Sequence, residues 1–290
     1  MTPQKETAYR TALKTAIDAG YDILEKGGSA LDAVETAVRT LEDIPLFNAG
    51  RGSVFGADGR HEMDASFMDG HHLIAGAVTM VEGVRNPISL ARLVMDRSPH
   101  VMLGGRGAEQ FARQHGLKFE DHDYFHDALR YEQWQKIKDT DAFQLDHTDL
   151  NQRLKGTVGA VALDDQGHLA AATSTGGMTN KKYGRIGDSP IIGVGNYAND
   201  KTCAVSCTGS GEYFMRAITA YDVSALMEYA GWDIHKASTE VIQNKLTAIG
   251  GDGGLIAIDY QGHIAMPFNS GGMYRACRSS SGHDEVAIYE

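Results

Sequence analysis

The segment Gly156-Thr157-Val158-Gly159 places a threonine at the start of a strand-like run, directly after a long polar stretch. A threonine hydroxyl is a weak nucleophile and needs a base within hydrogen-bonding distance. An α-amino group can be that base because it titrates at about pH 7.7–8.0. Thr157 would gain such an amine only if the Gly156–Thr157 peptide bond were cut. An isolated Gly-Thr pair at a strand start is more often structural than catalytic, so further residues have to support this chemistry.

Hydroxyl and charged side chains recur after Thr157. Residues 173–180, Thr-Ser-Thr-Gly-Gly-Met-Thr-Asn, end the predicted hairpin partner of the Thr157 strand and bring hydroxyls back to that end. Arg185 and Asp188 lie in a glycine-punctuated loop and suit the carboxylate and ammonium of an amino acid, although a surface ion pair is the alternative. Residues 206–212, Ser-Cys-Thr-Gly-Ser-Gly-Glu, end a strand and begin a helix, where N–H groups and a hydroxyl can stabilise an oxyanion.

The composition argues against several other classes of function. A formal net charge of −11 over 290 residues disfavours nucleic-acid binding, which needs clustered Lys and Arg. No apolar run reaches membrane-spanning length, and the polar N-terminus has no signal-peptide core. Three cysteines are too few for a disulfide framework and fit a reduced, cytoplasmic setting. Metal-protease, Walker and dinucleotide motifs are absent from the sequence, so no cofactor is expected for catalysis. The pairs His71-His72 and His122/His126 could contact a metal, but exposed loop histidines usually do not.

Hydrophobic periodicity indicates the elements that must position these residues. It predicts helices over residues 6–26, 30–41, 88–95, 109–114, 213–229 and 233–248. It predicts strands over residues 62–68, 73–81, 157–163, 169–175, 191–194, 203–208, 254–258 and 263–267. Strands in hairpins and helices in pairs indicate an α+β fold of packed layers in one structural domain. Residues from about 119 to 156 are mostly polar, apart from an amphipathic patch at 128–137, and we expect a flexible linker there.

At these motifs the sequence resembles the plant-type L-asparaginase / isoaspartyl (β-aspartyl) peptidase family of N-terminal-nucleophile hydrolases, particularly its bacterial members. The resemblance covers nearly the whole chain. Its most specific blocks are PLFNAGRGSVF (45–55), EMDASFMDG (62–70), GTVGAVALDDQGHLAAATSTGGMTNKKYGRIGDSPIIGVGNYAND (156–200), SCTGSGE (206–212) and PFNSGGMYRA (267–276).

The resemblance implies a four-layer αββα sandwich. It also implies self-cleavage into an α subunit, residues 1–156, and a β subunit, residues 157–290, which assemble as an (αβ)2 dimer. Family members usually begin with a strand that carries an HGGAG-like motif, whereas here a helix-forming segment follows Met1 directly. The first strand of the sandwich is therefore expected to be missing.

The resemblance also implies a role for each site residue. Thr157 would be the nucleophile at the Gly156–Thr157 cleavage site, and Thr175 would orient and help to activate it. Thr208 and Gly209 would form the oxyanion hole. The substrate would be held by Arg185, Asp188 and Gly211, with Asn48 nearby. A loop would bind a structural Na+ through the backbone carbonyls of Leu41, Glu42, Ile44, Phe47, Ala49 and Arg51.

The implied reaction is acyl transfer from an aspartyl side chain. Hydrolysis of β-aspartyl dipeptides or L-asparagine would release L-aspartate, with no cofactor beyond the structural Na+. A glycosylasparaginase shares the fold and the nucleophile, but such enzymes are usually exported and no signal peptide is present here. An unprocessed or truncated relative that only binds a partner, or plays a structural part, is the remaining alternative.

Overall fold

The computed structural model describes residues 1–143 and 156–289. These residues form a mixed α/β fold with a five-stranded sheet, a four-stranded sheet and a two-stranded ribbon. The strands are β1 Met63–Asp69, β2 Ile74–Val81, β3 Met102–Gly104, β4 Val158–Leu163, β5 Leu169–Thr175, β6 Asn196–Ala198, β7 Cys203–Gly209, β8 Gly253–Asp259, β9 Ile264–Ala265, β10 Arg275–Arg278 and β11 Asp284–Ala287. The helices are α1 Pro3–Glu25, α2 Ala30–Glu42, α3 Pro87–Arg97, α4 Gly105–Gln114, α5 His122–Phe125, α6 Ala128–Ile137, α7 Gly211–Ala217, α8 Thr219–Ala230 and α9 Ile234–Thr239.

The five-stranded sheet has the order β3-β2-β1-β5-β4 and combines strands from both sides of the Gly156–Thr157 bond. Its centre is the antiparallel pairing of β1 with β5, in which Asp64 lies opposite Thr175. β5 is buried along its whole length. Its small side chains suit a strand that is covered on both faces.

Helix α2 positions the strands that flank Thr157. It begins at Ser29, whose side chain accepts a hydrogen bond from the Asp32 amide at 3.1 Å, and this cap satisfies a free N–H group of the first turn. Its buried side chains recur three and four residues apart, at Ala30, Ala33, Val34, Ala37, Val38 and Leu41. That face packs on β4 and β5, while α1 packs beside α2.

The four-stranded sheet, β6-β7-β8-β9, packs with β7 and β8 against β4. The two sheets lie close together at Gly159, where a Cβ atom would overlap the Ser206 hydroxyl. The Thr173 and Ser206 hydroxyls also lie 2.7 Å apart across the sheets. Helices α8 and α9 contact the four-stranded sheet. The close approach brings the end of β7, at Gly209, towards the start of β4.

The prediction of a flexible linker from about residue 119 is wrong for residues 122–137, which form α5 and α6. Two side chains fix this part to the rest of the molecule, since Phe125 and Arg130 are 2% and 1% exposed. Asp127 caps α6 through hydrogen bonds from the amides of Leu129 and Arg130, at 3.0 and 3.1 Å. The rest of the predicted linker, residues 144–155, lies outside the described residues.

Two other elements differ from the sequence prediction. The helix predicted over 213–229 is divided at Ile218, which has a φ of 51°, into α7 and α8. The strand predicted over 191–194 is a turn, and the strand β6 begins only at Asn196. Within the described ranges, none of the helices combines the length and the hydropathy that crossing a bilayer requires.

Candidate active site

Thr157 directly precedes β4, and its hydroxyl faces the hydroxyl of Thr175 at the end of β5. The two Oγ1 atoms are 3.1 Å apart, because the β4–β5 pairing places Val158 opposite Ser174. The amide of Gly177 donates a hydrogen bond to Thr175 Oγ1 at 3.1 Å. Thr175 therefore keeps its own hydroxyl hydrogen and a second lone pair, and it can give a proton to Thr157 or take one from it.

Asn48 holds the peptide bond before Thr157. Its backbone N–H donates to the carbonyl oxygen of Gly156 at 2.8 Å. Its side chain is 2% exposed, donates to Gly177 O at 2.6 Å and accepts from the Val54 amide at 3.1 Å. Asn48 therefore fixes the carbonyl of the bond that self-cleavage would break, and its N–H withdraws electron density from that carbonyl. The sequence placed Asn48 near the site but did not indicate this contact.

Glu42 and Lys181 form hydrogen bonds with the residues on either side of Thr175. Glu42 Oε1 accepts a hydrogen bond from Ser174 Oγ at 2.6 Å, and complete burial raises the pKa of the Glu42 carboxyl to about 8. Lys181 Nζ donates to the carbonyls of Glu62 and Gly176, at 2.6 and 3.2 Å. Burial lowers the pKa of the Lys181 ammonium. Sequence reasoning missed the role of Lys181, because a Lys-Lys pair in a loop is typical of an exposed surface.

Thr208 and Gly209 lie at the end of β7. Gly209 lines the cleft that contains Thr157 and Thr175. Thr208 Oγ1 is buried and has no hydrogen-bond partner among the described residues. A buried hydroxyl without a partner is free to donate to an oxygen that develops charge in the cleft. A Cβ at Gly209 would lie 2.6 Å from the Asp252 carbonyl oxygen, so this position accepts only glycine without rearrangement.

Arg185 and Asp188 lie on the same cleft as Thr157. Asp188 is 5% exposed, and its Oδ2 has no partner among the described residues. Burial raises the pKa of the Asp188 carboxyl to about 7, although the Arg185 charge acts in the opposite direction. A desolvated carboxylate with a free acceptor atom is well suited to an ammonium group.

Glu212 pairs with Arg185, a contact that sequence reasoning missed. The Arg185 Nε and Nη2 atoms donate to the two Glu212 carboxylate oxygens at 2.8 and 2.9 Å. The sequence signal for this contact was the position of Glu212, which follows the Thr-Gly-Ser-Gly run directly and lies in the first turn of α7. The pair holds the guanidinium beside Asp188.

Gly211 permits this arrangement because it lacks a side chain. A Cβ at Gly211 would lie 2.8 Å from Asp188 Oδ1 and 3.0 Å from Arg185 Nη2. The structure therefore brings the predicted residues Asn48, Gly156, Thr157, Thr175, Arg185, Asp188, Gly209 and Gly211 to one place, with Thr208 beside them.

The predicted Na+ loop runs from the last turn of α2 to the 3-10 turn Gly50–Gly52, and Asn48 lies within it. The loop is tightly curled, since a Cβ at Gly50 would lie 2.5 Å from the Glu42 carbonyl oxygen and one at Gly52 would lie 2.6 Å from that of Pro45. A curl of backbone carbonyls has the donor chemistry that a hard cation prefers. Whether the backbone carbonyls of Leu41, Glu42, Ile44, Phe47, Ala49 and Arg51 bind Na+ stays a prediction.

The fold and this cleft agree with comparisons to known proteins, which define the class. The chain belongs to the asparaginase family, because the family model described as Asparaginase matches residues 1–288. The chain is similar to the isoaspartyl peptidases of Escherichia coli K12 and Salmonella typhimurium LT2, with 53% and 52% identity. Each comparison covers all of this chain, with 91% and 93% of the respective relative. A probable isoaspartyl peptidase/L-asparaginase of Arabidopsis thaliana is 42% identical over 99% of this chain and 94% of its own length.

Proposed function

We propose that this protein is a threonine hydrolase that cleaves β-aspartyl dipeptides and L-asparagine and releases L-aspartate. The observation that carries the proposal is that Arg185 and Asp188 line one cleft with the hydroxyl of Thr157. That combination suits a substrate with a free amino-acid head group and a reactive carbonyl on its side chain. The bacterial relatives are isoaspartyl peptidases and the plant relative is a probable isoaspartyl peptidase/L-asparaginase, which supports the same substrates.

Activation would be self-cleavage at the Gly156–Thr157 bond. The Thr157 hydroxyl attacks the Gly156 carbonyl carbon, and the C–N bond breaks as the nitrogen takes a proton, which leaves an ester. Water then hydrolyses the ester to a Gly156 carboxylate and a Thr157 hydroxyl with a free α-amine. The 2.8 Å hydrogen bond from the Asn48 N–H to Gly156 O supports the first step, because it stabilises charge on that oxygen.

Turnover would use the new α-amine of Thr157 as the base. The amine takes the hydroxyl proton, and Oγ1 attacks the side-chain carbonyl of the substrate. The unpartnered Thr208 hydroxyl and the backbone at Gly209 stabilise the oxyanion. Ammonia or an amino acid leaves with a proton from the amine, and water hydrolyses the acyl-threonine to release L-aspartate.

The head group of the substrate would be held by charge. The Arg185 guanidinium binds the α-carboxylate, and the Asp188 carboxylate binds the α-ammonium. Glu212 already occupies one edge of the guanidinium, so the substrate carboxylate binds the remaining N–H groups. Truncation of either charged partner in such a buried pair typically costs about 2–5 kcal/mol of binding.

We also propose the larger assembly that the resemblance implies. Contacts of α2 and α3 with one sheet, of that sheet with the second, and of α8 and α9 with the second support a four-layer αββα sandwich. Residues 1–156 and 157–290 would be its α and β subunits, and two processed protomers would form an (αβ)2 dimer. Na+ in the carbonyl loop would be structural. The three unpaired thiols support a cytoplasmic location.

The proposal is tested with two measurements on the purified, untagged chain. Intact mass after prolonged incubation should show two chains cut between Gly156 and Thr157. The processed protein should hydrolyse a β-Asp dipeptide and L-asparagine in preference to N-acetylglucosaminyl-asparagine. A chain that remains uncut and inactive, or a clear preference for the glycosylated substrate, would overturn it.

A further inference from the structure

Three loops at the end of the sheets remote from Thr157 bring two histidines to one carboxylate. His71 lies in the turn between β1 and β2, His168 directly before β5, and Asp200 in the turn after β6. The Nδ1 atoms of His71 and His168 lie 3.2 and 2.9 Å from the same atom, Asp200 Oδ2. The two imidazole ring centres are 3.9 Å apart. We propose that His71, His168 and Asp200 form a binding site for a divalent transition-metal ion of the zinc type.

The distances from the two histidines to Asp200 are close to those that such an ion requires, and the ligand atoms of the three side chains all lie within 4.8 Å of one another. Zn2+ binds imidazole nitrogen and carboxylate oxygen at about 2.0–2.2 Å in a tetrahedral arrangement, which separates its ligand atoms by about 3.3–3.5 Å. The observed separations of 3.2 and 2.9 Å are slightly shorter. An ion that replaces the hydrogen atoms between the nitrogens and Oδ2 would therefore need only a small outward movement of the side chains.

Hydrogen bonds to the backbone already orient Asp200. Its Oδ1 accepts from the Leu169 amide at 2.8 Å, which leaves Oδ2 directed at the two rings. Its own N–H donates to Gly70 O at 3.0 Å. Partners of this kind orient metal ligands and lower the cost of assembling them.

The two histidines are held in the same way. The His71 amide donates to Asp69 Oδ1 at 2.8 Å, and the His168 amide donates to Asp164 Oδ1 at 2.9 Å. The two loops that carry the histidines are therefore each fixed by an aspartate.

The types of ligand atom in the site determine which class of metal ion it prefers. Two imidazoles with one carboxylate favour Zn2+, Ni2+, Co2+ or Cu2+ over Mg2+ and Ca2+, which prefer oxygen ligands. The His71 and His168 side chains are 47% and 39% exposed, so water can complete the coordination.

The site would connect the two sheets at the end opposite the cleft. His71 and His168 belong to turns of the five-stranded sheet, whereas Asp200 belongs to a turn of the four-stranded sheet. His168 directly precedes β5 and Thr175 is its last residue, so seven residue steps of about 3.3 Å, about 23 Å in all, separate them. Metal binding should therefore raise the unfolding temperature without entering the reaction at Thr157.

The test is titration of the untagged, processed protein with Zn2+ by calorimetry, together with the visible spectrum of added Co2+. Wild type should bind one Zn2+ at this site, and excess Mg2+ or Ca2+ should not displace it. His71→Ala and His168→Ala should each weaken binding at least tenfold. The matched control is His263→Ala. The Nδ1 of His263 lies 2.9 Å from Asp259 Oδ2, but among the described residues no second histidine lies close enough to form a three-ligand site with this pair.

Asp200→Asn is a further variant, because its amide oxygen can still accept from Leu169. It should keep the unfolding temperature of the metal-free protein and lose Zn2+ affinity. His283→Ala tests the second cluster of possible ligands, Cys277, His283 and Glu285. The proposal is overturned if wild type binds no Zn2+, if His168→Ala binds it as wild type does, or if only His283→Ala loses it.

Discussion

Thr157 and Thr175 lie within one hydrogen bond of each other, and the Gly156 carbonyl beside them is held by Asn48. These contacts place a nucleophile, a proton partner and an electrophile together before any cut. Thr157→Ala should therefore leave the chain uncut and without turnover, as measured by intact mass and by aspartate release. Thr157→Ser keeps a hydroxyl and should still be cut, more slowly. Cleavage in Thr157→Ala would refute the assigned nucleophile.

Asp188 should give the cleft a pH-dependent affinity for L-aspartate. Because burial raises the pKa of this carboxyl to about 7, it is largely protonated at about pH 6 and ionised at about pH 8. Binding of L-aspartate to processed protein, measured by calorimetry, should tighten as the pH rises through about 7. The Thr157 amine has the opposite effect on this affinity. At low pH it is protonated and attracts the side-chain carboxylate of L-aspartate, which strengthens binding.

Asp188→Asn should bind L-aspartate at least tenfold more weakly than wild type at about pH 8, and its affinity should not increase as the pH rises through about 7. Asp222→Asn is the control, because Asp222 pairs with Lys245 in an ion pair outside the cleft. A pH profile in Asp188→Asn that is the same as that of wild type would contradict this role.

At the residue scale, the types of side chain in the cleft could be predicted, but their partners could not. The hydroxyl-rich strand ends and the Arg185–Asp188 spacing indicated an amino-acid site. The bidentate contact of Glu212 with Arg185 depends on the position of α7 relative to a loop, which local sequence does not determine. The same holds for His168 and Asp200, which lie far apart in sequence and meet only because two sheets pack together.

At the scale of elements, the polar stretch after residue 119 shows why composition misled the prediction. Helix α5 has only four residues, too few to display an apolar period, and the ten residues of α6 coincide with the amphipathic patch at 128–137, which lies within a mostly polar stretch. The buried side chain of α6 is Arg130, a residue type that periodicity arguments assign to solvent. Phe55 stacks on Trp134 with ring centres 5.6 Å apart, a tertiary contact that stabilises α6.

Asn180 forms hydrogen bonds with the end of α6 and with the segment that follows it. Its Nδ2 donates to the carbonyls of Ile137 and Ala142, at 3.0 and 2.6 Å, and the residue is 1% exposed. Its φ of 64° is one that Asn and Asp tolerate better than most residues. Asn180→Asp keeps the shape but turns an oxygen towards the carbonyls, so it should lower the free energy of unfolding by about 1–3 kcal/mol.

Urea unfolding of the uncut Thr157→Ala background, with and without Asn180→Asp, measures this effect. Lys182→Met is the comparison, since it removes an exposed ion pair from Lys182 to Asp141 on the same segment. It should have little effect, because exposed pairs contribute little to stability. Equal stability of the Asn180→Asp protein and its background would show that the anchor is dispensable.

At the scale of the whole molecule, the five-stranded sheet joins the two proposed subunits. β1 pairs with β2 on one side and with β5 on the other, so the Gly156–Thr157 bond separates strands that remain hydrogen-bonded. The cut halves should therefore elute together from a sizing column in native buffer and separate only in denaturant. Two independently eluting halves would contradict the arrangement.

A fold that mixes helices with hairpin strands could be predicted from the sequence, whereas breaks within the elements could not. The left-handed conformation of Ile218 divides one predicted helix, because the chain turns there between α7 and α8. Nothing in the period of the flanking side chains marks this position, since both helices keep apolar residues on the face that meets the four-stranded sheet.

The shared sheet also fixes an order of events. While the chain is intact, β4 and β5 find β1 as parts of one molecule, so their pairing does not depend on protein concentration. Two pieces made separately would first have to meet by diffusion, each with an unpaired strand edge open to other chains. If the proposed cut occurs only after the Thr157–Thr175 pair has formed, assembly is unimolecular, and the covalent connection would be lost only after the strands have paired.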